Sequence, residues 1–88
     1  MAHIEVYTSS HCPYCDKAKM LLKHKGVTWD EIRVDQDAQA KELMLARAEG
    51  RRTVPQIFIN GKGIGGCDDL YALEQAGELD ALLAAHSS

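Results

Sequence analysis

Two thiols three residues apart, Cys12 and Cys15, stand where a strand-like run gives way to a helix-like one, with Pro13 and Tyr14 between them. That junction constrains the chain more than any other segment. Proline at the first helical position loses nothing, because an N–H there has no intrahelical partner. Pro13 therefore predicts a helix that opens with Cys12 at its N-terminus and carries Cys15 one turn inside, both sulfurs on one face. Unpaired backbone N–H groups and the positive end of the helix dipole favour a thiolate at Cys12, the form of cysteine that attacks disulfides. Cys15, deeper and less polarised, is expected to stay a thiol until it resolves a mixed disulfide. A C-x-x-C pair also occurs as half of a zinc site, but four-coordinate zinc usually needs a second pair, and only Cys67 and four scattered histidines remain. In a βα setting the spacing reads as redox chemistry, and no metal ligands are expected.

At 88 residues the chain is expected to form one domain, 1–88, with a modest core. A net charge of −3 with scattered Lys and Arg argues against nucleic acid or an anionic membrane as the main partner and suits small or protein thiols. The longest apolar run, Ala81 to Ala85, is far below the length of a membrane span. His3 and Glu5 stand where a secretory signal would need apolar residues. Three cysteines make no even disulfide framework, which suits a reducing compartment, so a cytoplasmic protein is expected.

The apolar periodicity predicts a strand at Ile4 to Thr8 and a helix from Pro13 to a stop at Gly26. Ala18, Leu21 and Leu22 fall at helical spacing from Tyr14 and read as core. A second strand is expected over Trp29 to Val34. Asp37 then caps a helix from about Ala38 to Glu49, closed by Gly50, with Leu43 and Met44 in the core. Gln56 to Ile59 and Lys62 to Gly65 read as a hairpin around an Asn60-Gly61 type I′ turn. Asp68 and Asp69 mark the start of a helix that breaks at Gly77, and a last helix covers about Leu79 to Ala85. The crossover helix makes the first two strands parallel, whereas the short turn makes the last two antiparallel. The order βαβαββα with an extra C-terminal helical piece is that of the thioredoxin fold, an α/β architecture with a four-stranded mixed sheet flanked by helices.

Three motifs in order, Cys12-Pro13-Tyr14-Cys15, Thr53-Val54-Pro55-Gln56-Ile57-Phe58-Ile59 and Ile64-Gly65-Gly66-Cys67-Asp68-Asp69-Leu70, resemble the glutaredoxin family, specifically its small bacterial dithiol type. The resemblance covers nearly the whole length. It implies a cis bond before Pro55, which holds the Val54 backbone open beside Cys12 so that glutathione adds there like a strand. It also implies that the γ-glutamyl carboxylate of glutathione meets the N–H groups of Cys67 and Asp68 after the permissive Gly65-Gly66 pair. Asp69, with Asp68 as the alternative, pairs with the ammonium group, and Arg51 or Arg52 reaches the glycyl carboxylate. Glutathione-binding residues are accordingly expected at Arg51, Arg52, Thr53, Val54, Pro55, Gly66, Cys67, Asp68 and Asp69.

One position departs from the family pattern. Many glutaredoxins carry Lys three residues before the first active-site Cys, where this chain has Ser9. His11, when protonated, is the nearest replacement cation. Cys67 acts either through its backbone N–H alone or as a third reactive thiol. The activity implied is glutathione-dependent reduction of protein disulfides and of glutathione mixed disulfides, with catalytic Cys12 and Cys15 supported by His11, Pro13 and Tyr14. Glutathione is then a co-substrate and no cofactor is tightly bound. Two other readings compete: a redoxin that takes electrons from thioredoxin reductase for ribonucleotide reductase, and a glutathione-ligated iron–sulfur module. A monomer is expected.

Overall fold

The computed structural model describes residues 2–85. Its elements are β1 (Ile4–Thr8), α1 (Pro13–His24), β2 (Asp30–Arg33), α2 (Ala38–Arg47), β3 (Gln56–Ile59), β4 (Lys62–Gly65), α3 (Cys67–Gln75) and α4 (Leu79–Ala84). The sheet order is β2-β1-β3-β4. β1 runs parallel to β2, with Thr8 opposite Arg33, and antiparallel to β3, while β3 and β4 form the antiparallel hairpin. This is the thioredoxin fold expected from the motif order.

Strand alternation divides the core between two faces of the sheet. Ile4, Val6, Ile57 and Ile59 point to one face, against Ala18, Leu21 and Leu22 of α1, Leu70 of α3, and Leu79 and Leu83 of α4. Burying an aliphatic side chain of this size stabilises the fold by roughly 1.5–3 kcal/mol, so this layer fixes where α1 begins relative to the sheet. On the opposite face Tyr7 and Phe58 pack with Met44 of α2 and with Ala48, its C-cap. Arg47 completes that layer. Its guanidinium lies 4.0 Å from the Phe58 ring centroid and donates to both Glu5 carboxylate oxygens, at 2.9 and 3.0 Å, and to the Tyr7 hydroxyl at 3.0 Å. A bidentate pair of this kind holds Glu5 below the usual carboxylate range, against the opposing effect of its partial burial.

Two expectations need correction. Leu43 is 53% exposed, whereas Met44 is fully buried. The inner face of α2 repeats every four residues, through Ala40 and Met44 to the C-cap Ala48, and Leu43 lies about 100° around the helix from Met44. Ala18, Leu21 and Leu22 are buried as expected, and Tyr14, 61% exposed, turns outward beside the cysteines. Finally, α2 ends at Arg47 rather than Glu49, because Glu49 and Gly50 both adopt left-handed backbone, φ 56° and 85°. Asn60 and Gly61 have φ of 52° and 81°, the pair of positive values that a type I′ turn requires.

Candidate active site

Pro13 occupies the first turn of α1, and Cys12 is its N-cap, in extended backbone at φ −117° and ψ 93°. The cap is a sulfur: Cys12 Sγ accepts the Cys15 N–H at 3.1 Å. Cys12 and Cys15 are joined as a disulfide. The two sulfurs are unequal in environment, since Cys15, in the first turn of α1, is only 1% exposed, while Cys12 is half-buried. In the reduced protein the sulfur that caps a helix N-terminus and accepts an amide is the one better stabilised as a thiolate.

The approach to Cys12 is also fixed. His11 is exposed and takes left-handed backbone, φ 54°. Immediately before it, Ser10 donates its N–H and its hydroxyl to one oxygen of Asp35, at 3.2 and 2.7 Å. Arg33 grips the same carboxylate from Nε and Nη2, each at 3.0 Å. Arg33 first, and Ser10 after it, hold the Asp35 carboxyl well below the usual range.

A cleft of about 190 Å³ lies beside the cysteines, lined by Tyr14, Arg51, Thr53, Val54, Pro55, Gly66, Cys67, Asp68 and Asp69. The Val54–Pro55 bond is cis, and the Val54 carbonyl oxygen lies 3.7 Å from Cys12 Sγ. Gln56 secures the loop below by donating its amide to the Thr53 carbonyl at 2.9 Å. Across the cleft, α3 starts after Gly66, and the amides of its first turn have no helical carbonyl to bond. Asp69 turns back to accept the Gly66 N–H at 2.9 Å and receives Arg51 Nη2 at 3.3 Å on the same oxygen. Gly65, at φ 110°, leaves the room this arrangement needs: a Cβ there would run into the Asp69 carboxylate and come within 2.9 Å of Arg51. Cys67 is buried, and burial pushes its thiol up, which disfavours the reactive thiolate.

The residues singled out by sequence thus converge, with two distinctions. Of the adjacent arginines, Arg51 lines the cleft and Arg52 does not. His11 neighbours Cys12 but lies outside the cleft lining. Sequence reasoning missed the Ser10–Asp35 clamp. Neither segment signals it alone, because it depends on the strand register: with Thr8 opposite Arg33, residues two positions beyond each strand end come together. Among the described residues no three His, Cys, Asp or Glu side chains are gathered as metal ligands, and no helix is long and apolar enough to cross a membrane.

A cysteine pair at the first turn of α1, beside a cis-proline loop on a thioredoxin-fold sheet, defines a thiol–disulfide oxidoreductase. The glutaredoxin family model matches residues 4–64. The chain is 55% identical to glutaredoxin 3 of Escherichia coli over 83 residues, 94% of this chain and 99% of the relative. It is 59% identical to a probable glutaredoxin of Synechocystis over 83 residues, 94% of this chain and 76% of that one. Among solved structures it is similar to the buckwheat glutaredoxin–glutathione complex, with a TM-score of 0.83 at 34% identity, covering 93% of this chain and 76% of that one. The chain belongs to the glutaredoxin family.

Proposed function

We propose that this chain works as one domain that reduces disulfides with electrons from glutathione, with Cys12 as nucleophile, Cys15 as resolving thiol and the adjoining cleft as the glutathione site. The observation that carries this reading is the position of Cys12 Sγ, which caps α1 through the Cys15 amide and stands 3.7 Å from the Val54 carbonyl at the cleft rim. A peptide laid along Val54 as an added strand brings its cysteine sulfur next to Cys12. The first-turn amides of Cys67 and Asp68 suit the γ-glutamyl carboxylate, Asp69 suits the ammonium, with Asp68 as its alternative, and Arg51, rather than Arg52, suits the glycyl carboxylate. The buckwheat relative solved with glutathione supports the ligand class.

The chemistry balances in four exchanges. The Cys12 thiolate attacks a substrate disulfide, forming a mixed disulfide and releasing one substrate thiolate. The Cys15 thiolate then attacks the Cys12 sulfur, releasing the second substrate thiolate and leaving the Cys12–Cys15 disulfide. A glutathione thiolate attacks Cys12 and frees Cys15, and a second glutathione attacks the glutathionyl sulfur, giving oxidised glutathione and the Cys12 thiolate. Two electrons pass from two glutathiones to one disulfide. A glutathionylated protein enters directly when Cys12 attacks the glutathionyl sulfur, and that route bypasses Cys15. In this reading the protein is a cytoplasmic monomer acting on disulfide-containing or glutathionylated proteins, ribonucleotide reductase among them.

Cysteine variants test the assignment. Cys12→Ser should abolish all turnover, whereas Cys15→Ser should retain removal of glutathione from a glutathionylated peptide and lose reduction of protein disulfides. Equal losses in the deglutathionylation assay would overturn the division of roles.

A further inference from the structure

Ser10 and Asp35 are 25 residues apart in sequence and meet because each lies two positions beyond a paired strand end, Thr8 and Arg33. One oxygen of Asp35 accepts both the Ser10 amide and the Ser10 hydroxyl, and the two-point grip of Arg33 fixes how that carboxylate is turned. Only His11 separates this anchor from Cys12. With His11 in left-handed backbone, an uncommon state for a residue with a side chain, the chain turns sharply from Ser10 into the N-cap.

We propose that Asp35 is a positioning residue for the nucleophile: by clamping Ser10 it holds the turn from Ser9 to Cys12 so that Cys12 Sγ stays on the Cys15 amide and the reduced sulfur is kept as a thiolate. The inference rests on the reading of Cys12 as the attacking thiol. The charged and titratable groups on the segments that meet at this turn are His11, Tyr14, Asp16 and Lys17 along the chain, Arg33 and Asp35 at the end of β2, and Arg51, Cys67, Asp68 and Asp69 of the adjoining cleft.

The direction of the effect separates positioning from simple electrostatics. Removing the Asp35 charge takes away an anion and leaves Arg33 without its partner, and both changes taken alone favour the Cys12 thiolate. Loss of the clamp disfavours it, because a loosened turn surrenders the amide hydrogen bond to sulfur. A rise in the Cys12 titration midpoint on Asp35→Ala therefore has no electrostatic explanation.

The experiment is a pH titration of thiolate absorbance on the reduced protein, assigned to Cys12 by its disappearance in Cys12→Ser. It needs no turnover, so it reads the clamp even if Cys12 proves not to be the attacking thiol. Asp35→Ala should raise the midpoint by about half a pH unit or more, equivalent to about threefold less thiolate below the midpoint. Asp35→Asn, which keeps an acceptor oxygen, should move it less. Ser10→Ala, which changes no charge and keeps the backbone bond, should shift it in the same direction by a smaller amount. The rate of attack on a small synthetic disulfide should fall in Asp35→Ala at about pH 6 and recover at about pH 9, where both proteins are ionised. A midpoint that stays or falls in Asp35→Ala while only the melting temperature drops overturns the proposal. Should Asp35→Ala not fold, Ser10→Ala decides, and a midpoint equal to that of the parent protein overturns it.

Discussion

Asp69 offers the clearest way to separate ligand binding from helix capping, because one of its oxygens serves both the Gly66 N–H at 2.9 Å and Arg51 at 3.3 Å. Asp69→Ala removes the charge and the cap together. Asp69 stands at the third helical position and satisfies the N-cap amide of Gly66; losing such a hydrogen bond costs about 0.5–1.5 kcal/mol, and 1 kcal/mol lowers the melting temperature of a domain this size by roughly 4–8 °C. Asp69→Asn keeps an acceptor for Gly66 and removes only the charge. The ion pair with Arg51 is about half exposed on both sides, so its loss contributes little to stability, and the Asn variant should melt close to the parent protein. If the ligand ammonium pairs with Asp69, losing that partly exposed contact costs on the order of 1 kcal/mol, or about a fivefold rise in the KM for glutathione. If Arg51 meets the glycyl carboxylate, its release from Asp69 trims the rise. Asp69→Lys should be worse than Asn, since it sets a like charge beside the ammonium. Steady-state turnover with varied glutathione reads the effect, and reduction of a small synthetic disulfide by the pre-reduced protein controls for thiol chemistry. An unaltered KM in both Asn and Lys variants, with the Ala variant merely less stable, would reduce Asp69 to a helix cap and move ammonium recognition to Asp68.

Two further outcomes are expected. Ser9→Lys should lower the Cys12 thiolate titration midpoint, since it places a cation three residues before Cys12; an unchanged thiolate absorbance titration would refute this. Glu5 is held below the ordinary glutamate value by Arg47, so its contribution to stability is present above about pH 4.3 and is lost as pH falls through the lowered folded value. Denaturant unfolding at about pH 7 and about pH 3 should thus show a larger acid loss for the parent than for Glu5→Gln, and parallel losses would refute the assignment.

What the sequence made legible follows from where its signals are local. Pro13, the Asn60-Gly61 pair and the acids at 68 and 69 each act within one turn of chain, and the elements they open or close appear where expected. Leu43 was misplaced because apolar character alone does not distinguish neighbours on a short helix, and only the sheet face beneath α2 selects Met44. Arg51 and Arg52 lie in an irregular stretch with no period to sort them; Arg51 becomes distinct through its contact with Asp69, 18 residues away. The Ser10–Asp35 clamp needed a quantity that neither segment carries by itself, the register between two parallel strands. Register couples the end of β2 to the turn before Cys12, so a one-residue slip of β2 would keep the C-x-x-C spacing intact while turning its alternate side chains to the other face. The spacing of the cysteines sets which reaction the chain can run, whereas the pairing of β1 with β2 sets how the reacting sulfur is approached.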